Sequence, residues 1–127
     1  MNKKEVQHYL KLLLKNVDLF CAVASRLKLR EYQKDVAKTV IGSVLEHKGL
    51  SIVVMFPRQS GKNELQAQIE TYLLAVLFTQ HAEMVKISPT WSPQSSNAMR
   101  RLEKVLNGNL ITKRFAAFCG NWRSFAA

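Results

Sequence analysis

A chain of 127 residues is long enough for one domain and too short for two of ordinary size. Its 47% hydrophobic and 22% charged content excludes a disordered polyelectrolyte. The longest unbroken apolar run, Tyr72 to Phe78, falls far below the roughly 20 residues that a bilayer span requires. Lysines interrupt the opening "MNKKEVQHYLKLLLKN" and no small-residue cleavage site follows, so no signal peptide is read and a cytoplasmic location is expected. The net charge of +10 suits a polyanionic partner, because basic side chains release the counterions condensed on nucleic acid. A solvated basic face with no partner explains the same charge. Beyond residue 85 the cations are Lys86, Arg100, Arg101, Lys104, Lys113, Arg114 and Arg123, against Glu103 alone. Cys21 and Cys119 have neither metal-ligand spacing nor a disulfide framework around them and are expected as buried free thiols.

Along the chain, Val6, Tyr9, Leu10, Leu13 and Leu14 follow the helical period, and Val17, Phe20, Cys21, Ala24 and Leu27 continue it, which predicts one or two N-terminal helices. Tyr32, Val36, Val40 and Val44 recur every four residues with Ile41 and Leu45 beside them. They predict a third helix over about 30–47, ended by Lys48 and Gly49. "LSIVVMF", 50–56, is short, β-branched and almost continuously apolar, the pattern of a strand buried on both faces of a parallel sheet. Leu65, Ile69, Tyr72, Leu73, Val76 and Leu77 then form one stripe of a helix over about 62–78. "EMVKIS", 83–88, reads as a second strand and "PTWSP" as its exit loop. Ser92 as N-cap and Pro93 at the first helical position open a last helix, whose Met99, Leu102, Val105 and Leu106 face inward and which "NGN", 107–109, stops.

Helices, then strand, loop, helix, strand, loop, helix is the opening of a doubly wound domain. The expected fold is therefore α/β and P-loop NTPase-like, a partial parallel sheet preceded by N-terminal helices. All of 1–127 forms one domain, with a helical segment at 1–29, the loop-bearing unit at 30–107 and a tail at 108–127. The tail carries Phe115, Phe118, Trp122 and Phe125 without periodicity.

Between the first predicted strand and the helix after it lies "FPRQSGKNEL", 56–65. In the phosphate-loop pattern G-x-x-x-x-G-K-[ST], Gly61 and Lys62 match, Phe56 replaces the first glycine and Asn63 the hydroxyl residue. Such a loop works because successive backbone amides converge at a strand-to-helix turn and the helix N-terminus adds about half a positive charge. Gln59, Ser60, Gly61, Lys62 and Asn63 supply the amides, and Lys62 reaches the β- and γ-phosphates of ATP. Asn63 offers Mg²⁺ a side-chain oxygen only with altered reach. The same residues also suit an ordinary helix N-terminus.

"PRQSGKN" resembles the Walker A segment of phage and prophage terminase large subunits, the ATPases of DNA-packaging motors, in which R-Q-S-G-K-[ST] often replaces the glycine-first form. "LREYQKDV" upstream resembles the adenine-recognition segment that terminases share with superfamily 2 helicases, and "KISPTWSPQSSNAMRRLEKVL" is similar to the strand, P-T pair and helix that follow. The resemblance covers about residues 28–107. It implies that Gln33 reads the adenine edge with Tyr32 packed nearby, that Arg58 stands by the γ-phosphate, and that Lys62 is the phosphate lysine. It also implies double-stranded DNA and packaging-motor subunits as partners, in a bacterial host cell. Read without it, Arg58 is an exposed loop cation, Gln33 a polar helix residue, and Pro89 and Thr90 a turn.

Hydrolysis in that family needs a Walker B aspartate at the end of an apolar strand after the loop. The last aspartate here is Asp35, and only Glu64, Glu70, Glu83 and Glu103 follow Lys62. Nor is there a carboxylate cluster for a two-metal nuclease. No catalytic residue is therefore assigned. The expectation is an N-terminal ATP-binding part of a terminase large subunit, cut short and without turnover of its own. The alternatives are a fragment of a superfamily 2 helicase or translocase, or a small basic nucleic-acid-binding protein whose loop is vestigial.

Overall fold

A computed structural model describes residues 2–78 and 80–113. The tail aromatics and Cys119 lie outside the described residues. Five α-helices follow in order, α1 (Lys3–Lys15), α2 (Val17–Val23), α3 (Glu31–Leu45), α4 (Lys62–Leu77) and α5 (Ser96–Gly108), with a π-helical turn at Trp91–Ser95 directly before α5.

The local reasons for these helices are visible at their starts. Glu5 accepts the Asn2 N–H at 2.9 Å, and Asn16 Oδ1 accepts the Asp18 and Leu19 amides at 2.9 and 3.4 Å, so side-chain oxygens satisfy orphan donors of the first turns. The last helix departs from expectation. The turn 91–95 is itself helical, so α5 proper begins at Ser96 and Pro93 stands inside that turn instead of opening α5.

α4 is the centre of the molecule. Leu65, Ala67, Gln68, Ile69, Glu70, Thr71, Tyr72 and Leu73 are all buried, so the helix is enclosed all round along its middle, as a core helix is. Its apolar stripe meets Val17, Phe20, Cys21 and Ala24 of the α2 region, Leu29, and Ala37 and Ile41 of α3. The Phe20 and Tyr72 rings meet edge to face at 5.2 Å, the favoured geometry for aromatic quadrupoles. The Tyr72 hydroxyl donates to the Leu14 carbonyl at 2.5 Å and ties α1 to the core. Asn109, fully buried, closes the far end. Its Nδ2 donates to Ser25 Oγ at 2.7 Å and its Oδ1 accepts the Ile111 and Thr112 amides, while the Leu110 N–H reaches the Ala24 carbonyl at 2.9 Å. The exits of α2 and α5 are thereby joined.

The expected fold class is overturned. The structure is about 62% helix with no strand among the described residues, so neither the α/β class nor the P-loop NTPase-like parallel sheet holds. Residues 50–56 and 83–88 lie outside any helix, and Val53, Met55, Val85 and Ile87 are each at least 79% exposed. Exposure alternates over Val53–Phe56 and Val85–Ser88, with Val54, Phe56, Lys86 and Ser88 half-buried. β-branched composition favours a pleated, half-buried surface, but a strand exists only where a neighbour accepts its ladder hydrogen bonds. What holds the second segment is a side chain. Lys86 Nζ donates to both Glu70 carboxylate oxygens at 2.9 Å, with Gln66 Nε2 on Oε1 at 3.1 Å.

The packed face of α3 does not coincide with its valine repeat. Gln33, Ala37, Ile41 and Ser43 are buried, whereas Tyr32 and Val44 are exposed and Val36 and Val40 half-buried. The inward ridge of Gln33, Ala37 and Ile41 is displaced by one residue from the valine repeat.

Truncating Phe20 to alanine is expected to cost about 3–5 kcal/mol, the usual range for a buried aromatic, and Tyr72→Phe about 1 kcal/mol for the lost hydrogen bond; urea unfolding followed by circular dichroism measures both. Burial, and then the nearby Asp18 carboxylate, push the Cys21 thiol from 9.0 up to about 12. Burial and then Cys21 raise the Tyr72 phenol as well. Both groups stay protonated in the fold at a pH where the unfolded chain has already released its protons, so stability is fully present below pH 9 and falls as pH rises toward about 12. Unfolding free energies across that window should decline, and Cys21→Ala should flatten the decline.

Candidate phosphate-binding site

The loop 57–61 connects the exposed 50–56 segment to the start of α4. Gln59 and Gly61 hold positive φ angles of 58° and 80°, and Ser60 between them does not. Alternation of backbone handedness turns successive amides toward one side and forms an anion-binding concavity. Ser60 Oγ donates to the Pro57 carbonyl at 2.7 Å and closes the turn. Gly61 is the N-cap of α4, and no side chain caps that helix. The first-turn amides of a 16-residue helix therefore face outward with the positive end of the macrodipole.

The start of α3 holds this loop from behind. The Tyr32 hydroxyl donates to the Ser60 carbonyl at 2.8 Å and accepts from Arg30 Nη1 at 3.0 Å. Its ring meets Phe56 edge to face at 5.2 Å. Gln33 is only 7% exposed. Its Oε1 accepts the Arg30 amide at 3.0 Å, and its Nε2 reaches the Ser60 and Gly61 carbonyls at 3.3 and 3.5 Å. The two sequence motifs, 27 residues apart at Gln33 and Ser60, are thus in direct contact.

The structure brings Tyr32, Gln33, Gln59, Ser60, Gly61, Lys62 and Asn63 to one place. Arg58 is exposed on the turn beside them. Both ends of the Gln33 amide bond backbone in this structure, its Oε1 the Arg30 N–H and its Nε2 the loop carbonyls, so it supports the loop. The residues do not fit the metal that usually accompanies ATP. Asn63 stands at the hydroxyl position, and Glu64 is committed to Arg101 at 3.0 Å and to Gln68 Nε2 at 3.2 Å. Among the described residues no group of three or more His, Cys, Asp or Glu could hold a metal ion.

Lys62 and Asn63 also line the rim of a cleft of about 1050 Å³ between α4 and α5. Its walls carry Arg26, Lys86, Arg100, Arg101 and Lys104 beside Lys62, and Glu64 is the acid among its lining residues. Sequence reasoning noticed the basic surplus beyond residue 85 but had no means of placing Arg26 opposite it. It also missed Arg30 and Phe56 as supports of Tyr32, which no local pattern marks.

Comparison with protein-family models, curated proteins and solved structures found no match. Among the described residues no helix is long and apolar enough to cross a membrane.

A Cβ added at Gly61 lies 2.7 Å from Gln33 Nε2, and the left-handed backbone there costs a side chain about 1–2 kcal/mol. Gly61→Ala should therefore destabilise by at least about that amount in urea. Adding Gln33→Ala should recover only the steric part.

Proposed function

We propose that this chain binds the phosphates of a nucleotide, ATP foremost, on the 57–63 loop, without hydrolysing it. The observation that carries this reading is the loop's alternating backbone handedness at an uncapped helix start beside Lys62, held in place by Tyr32 and Gln33. Converging amides and a helix dipole stabilise an anion without any side-chain charge. Lys62 adds a point charge within reach of the outer phosphates, and Arg58 a second on the same turn. A role as the ATP-binding part of a terminase large subunit, working on double-stranded DNA with packaging-motor subunits, rests on the three motif resemblances.

Turnover needs a carboxylate to hold the metal or orient water. Glu64 and Glu70 are engaged in ion pairs, and Glu83 and Glu103 are the other acids after the loop.

Titration of the ¹⁵N-labelled chain with ADP should shift the amides of residues 59–63, and Lys62→Ala should weaken the binding by about tenfold or more, the worth of a charge-assisted hydrogen bond. Shifts confined to other residues would remove the loop from consideration. Steady-state ATP hydrolysis should be absent; turnover that Lys62→Ala abolishes contradicts the non-hydrolytic reading.

A further inference from the structure

We propose that the cleft between α4 and α5 binds a single strand of nucleic acid through its phosphate backbone, a function beyond nucleotide capture at the loop. The cleft's charge is the first ground. Of its six cations, Lys86 is neutralised by Glu70 and Arg101 by Glu64. Arg26, Lys62, Arg100 and Lys104 have no carboxylate partner among the described residues. Four uncompensated cations around one concavity repel each other and gain most from a polyanion that displaces their counterions.

The placement of those cations selects the ligand. Arg26 stands at the exit of α2, where its own left-handed backbone, φ 55°, turns the chain into the cleft wall. Lys62 stands at the start of α4, and Arg100 and Lys104 lie one turn apart on α5. A mononucleotide carries its charge at one end and satisfies one wall. A strand carries a phosphate at every sugar and meets all three. The volume of about 1050 Å³ lies at the upper limit of clefts that enclose one drug-sized molecule, roughly 300–1,000 Å³. A rigid duplex is too bulky to enter a cleft of this volume and would touch only its rim, whereas a flexible strand can lie inside it. Leu27, Ile87 and Val105 give the walls apolar surface for sugars. Gln68 also lines the cleft; it is 2% exposed and its buried Oε1 has no hydrogen-bond partner.

The test uses the full chain and a fluorescein-labelled oligothymidylate of roughly twelve nucleotides, within the range one small domain covers, followed by fluorescence anisotropy across a salt series. Binding should weaken with salt at a slope of log K against log salt of about −2 to −3, as expected for three to four phosphates at about −0.7 each. Arg100→Glu combined with Lys104→Glu should weaken it about tenfold or more, with helicity by circular dichroism unchanged because both side chains are exposed. Lys3→Glu with Lys4→Glu, an equal change of charge on α1, should leave it unaltered. Equal loss in both double variants, a preference for the duplex of the same sequence, or no binding at low salt overturns the proposal. ADP-induced shifts at residues 59–63 should persist in the Arg100, Lys104 variant, so failure of the strand site and failure of the nucleotide site are separately readable.

Discussion

The enclosure of α4 is the constraint on which the rest depends. A helix buried on every side from Ala67 to Leu73 is under pressure to pair the polar groups it carries inside the protein, because an unpaired buried charge or amide is costly. Thr71 returns its hydroxyl to the Ala67 carbonyl at 2.8 Å. Gln68 reaches Glu64. Glu70 takes Lys86, which ties the 83–88 segment to the helix at that residue. The pairings along α4 therefore decide where the surrounding chain runs.

The same burial leaves one part of α4 outside. Its first turn emerges from the core at Lys62 and Asn63, which are exposed, and the loop before it is held by α3 instead of by a cap. This separation of tasks explains why the site is rigid at its back and open at its front. Tyr32 and Gln33 bond carbonyls of the loop, and such bonds leave the loop's amides turned the other way. Gly61 is required twice over, by its left-handed backbone and by the 2.7 Å approach of Gln33 to the place a Cβ would occupy.

Electrostatics extend the site beyond the loop. α5 presents Arg100, Arg101 and Lys104 toward the flank of α4 that carries Glu64. One carboxylate holds one guanidinium and leaves the others uncompensated, so the cleft carries a positive field that begins at Lys62 and continues along α5. A surface of this kind is stable only because the cations stand apart and in water, where repulsion is weak. It becomes favourable when a polyanion replaces that water.

The helices were legible from residue spacing within a few positions, apart from whether one or two precede residue 30, because an amphipathic stripe such as Leu65, Ile69, Tyr72 and Leu73 declares its period locally. So was the loop, since Gly61 and Lys62 stand at the start of α4 and backbone handedness there favours glycine. The strands were misread because "LSIVVMF" and "EMVKIS" specify β-compatible side chains, while a ladder depends on partners that no local pattern contains. Sequence alone determined helix positions, the glycine–lysine pair at the start of α4 and the basic surplus, all properties of neighbours in the chain. Only the tertiary structure decided that Gln33 supports the loop, that Asn109 joins two helix ends, and that Arg26 lines one cleft with residues of α5, because each is a relation between residues far apart in sequence that exists only once the core has closed.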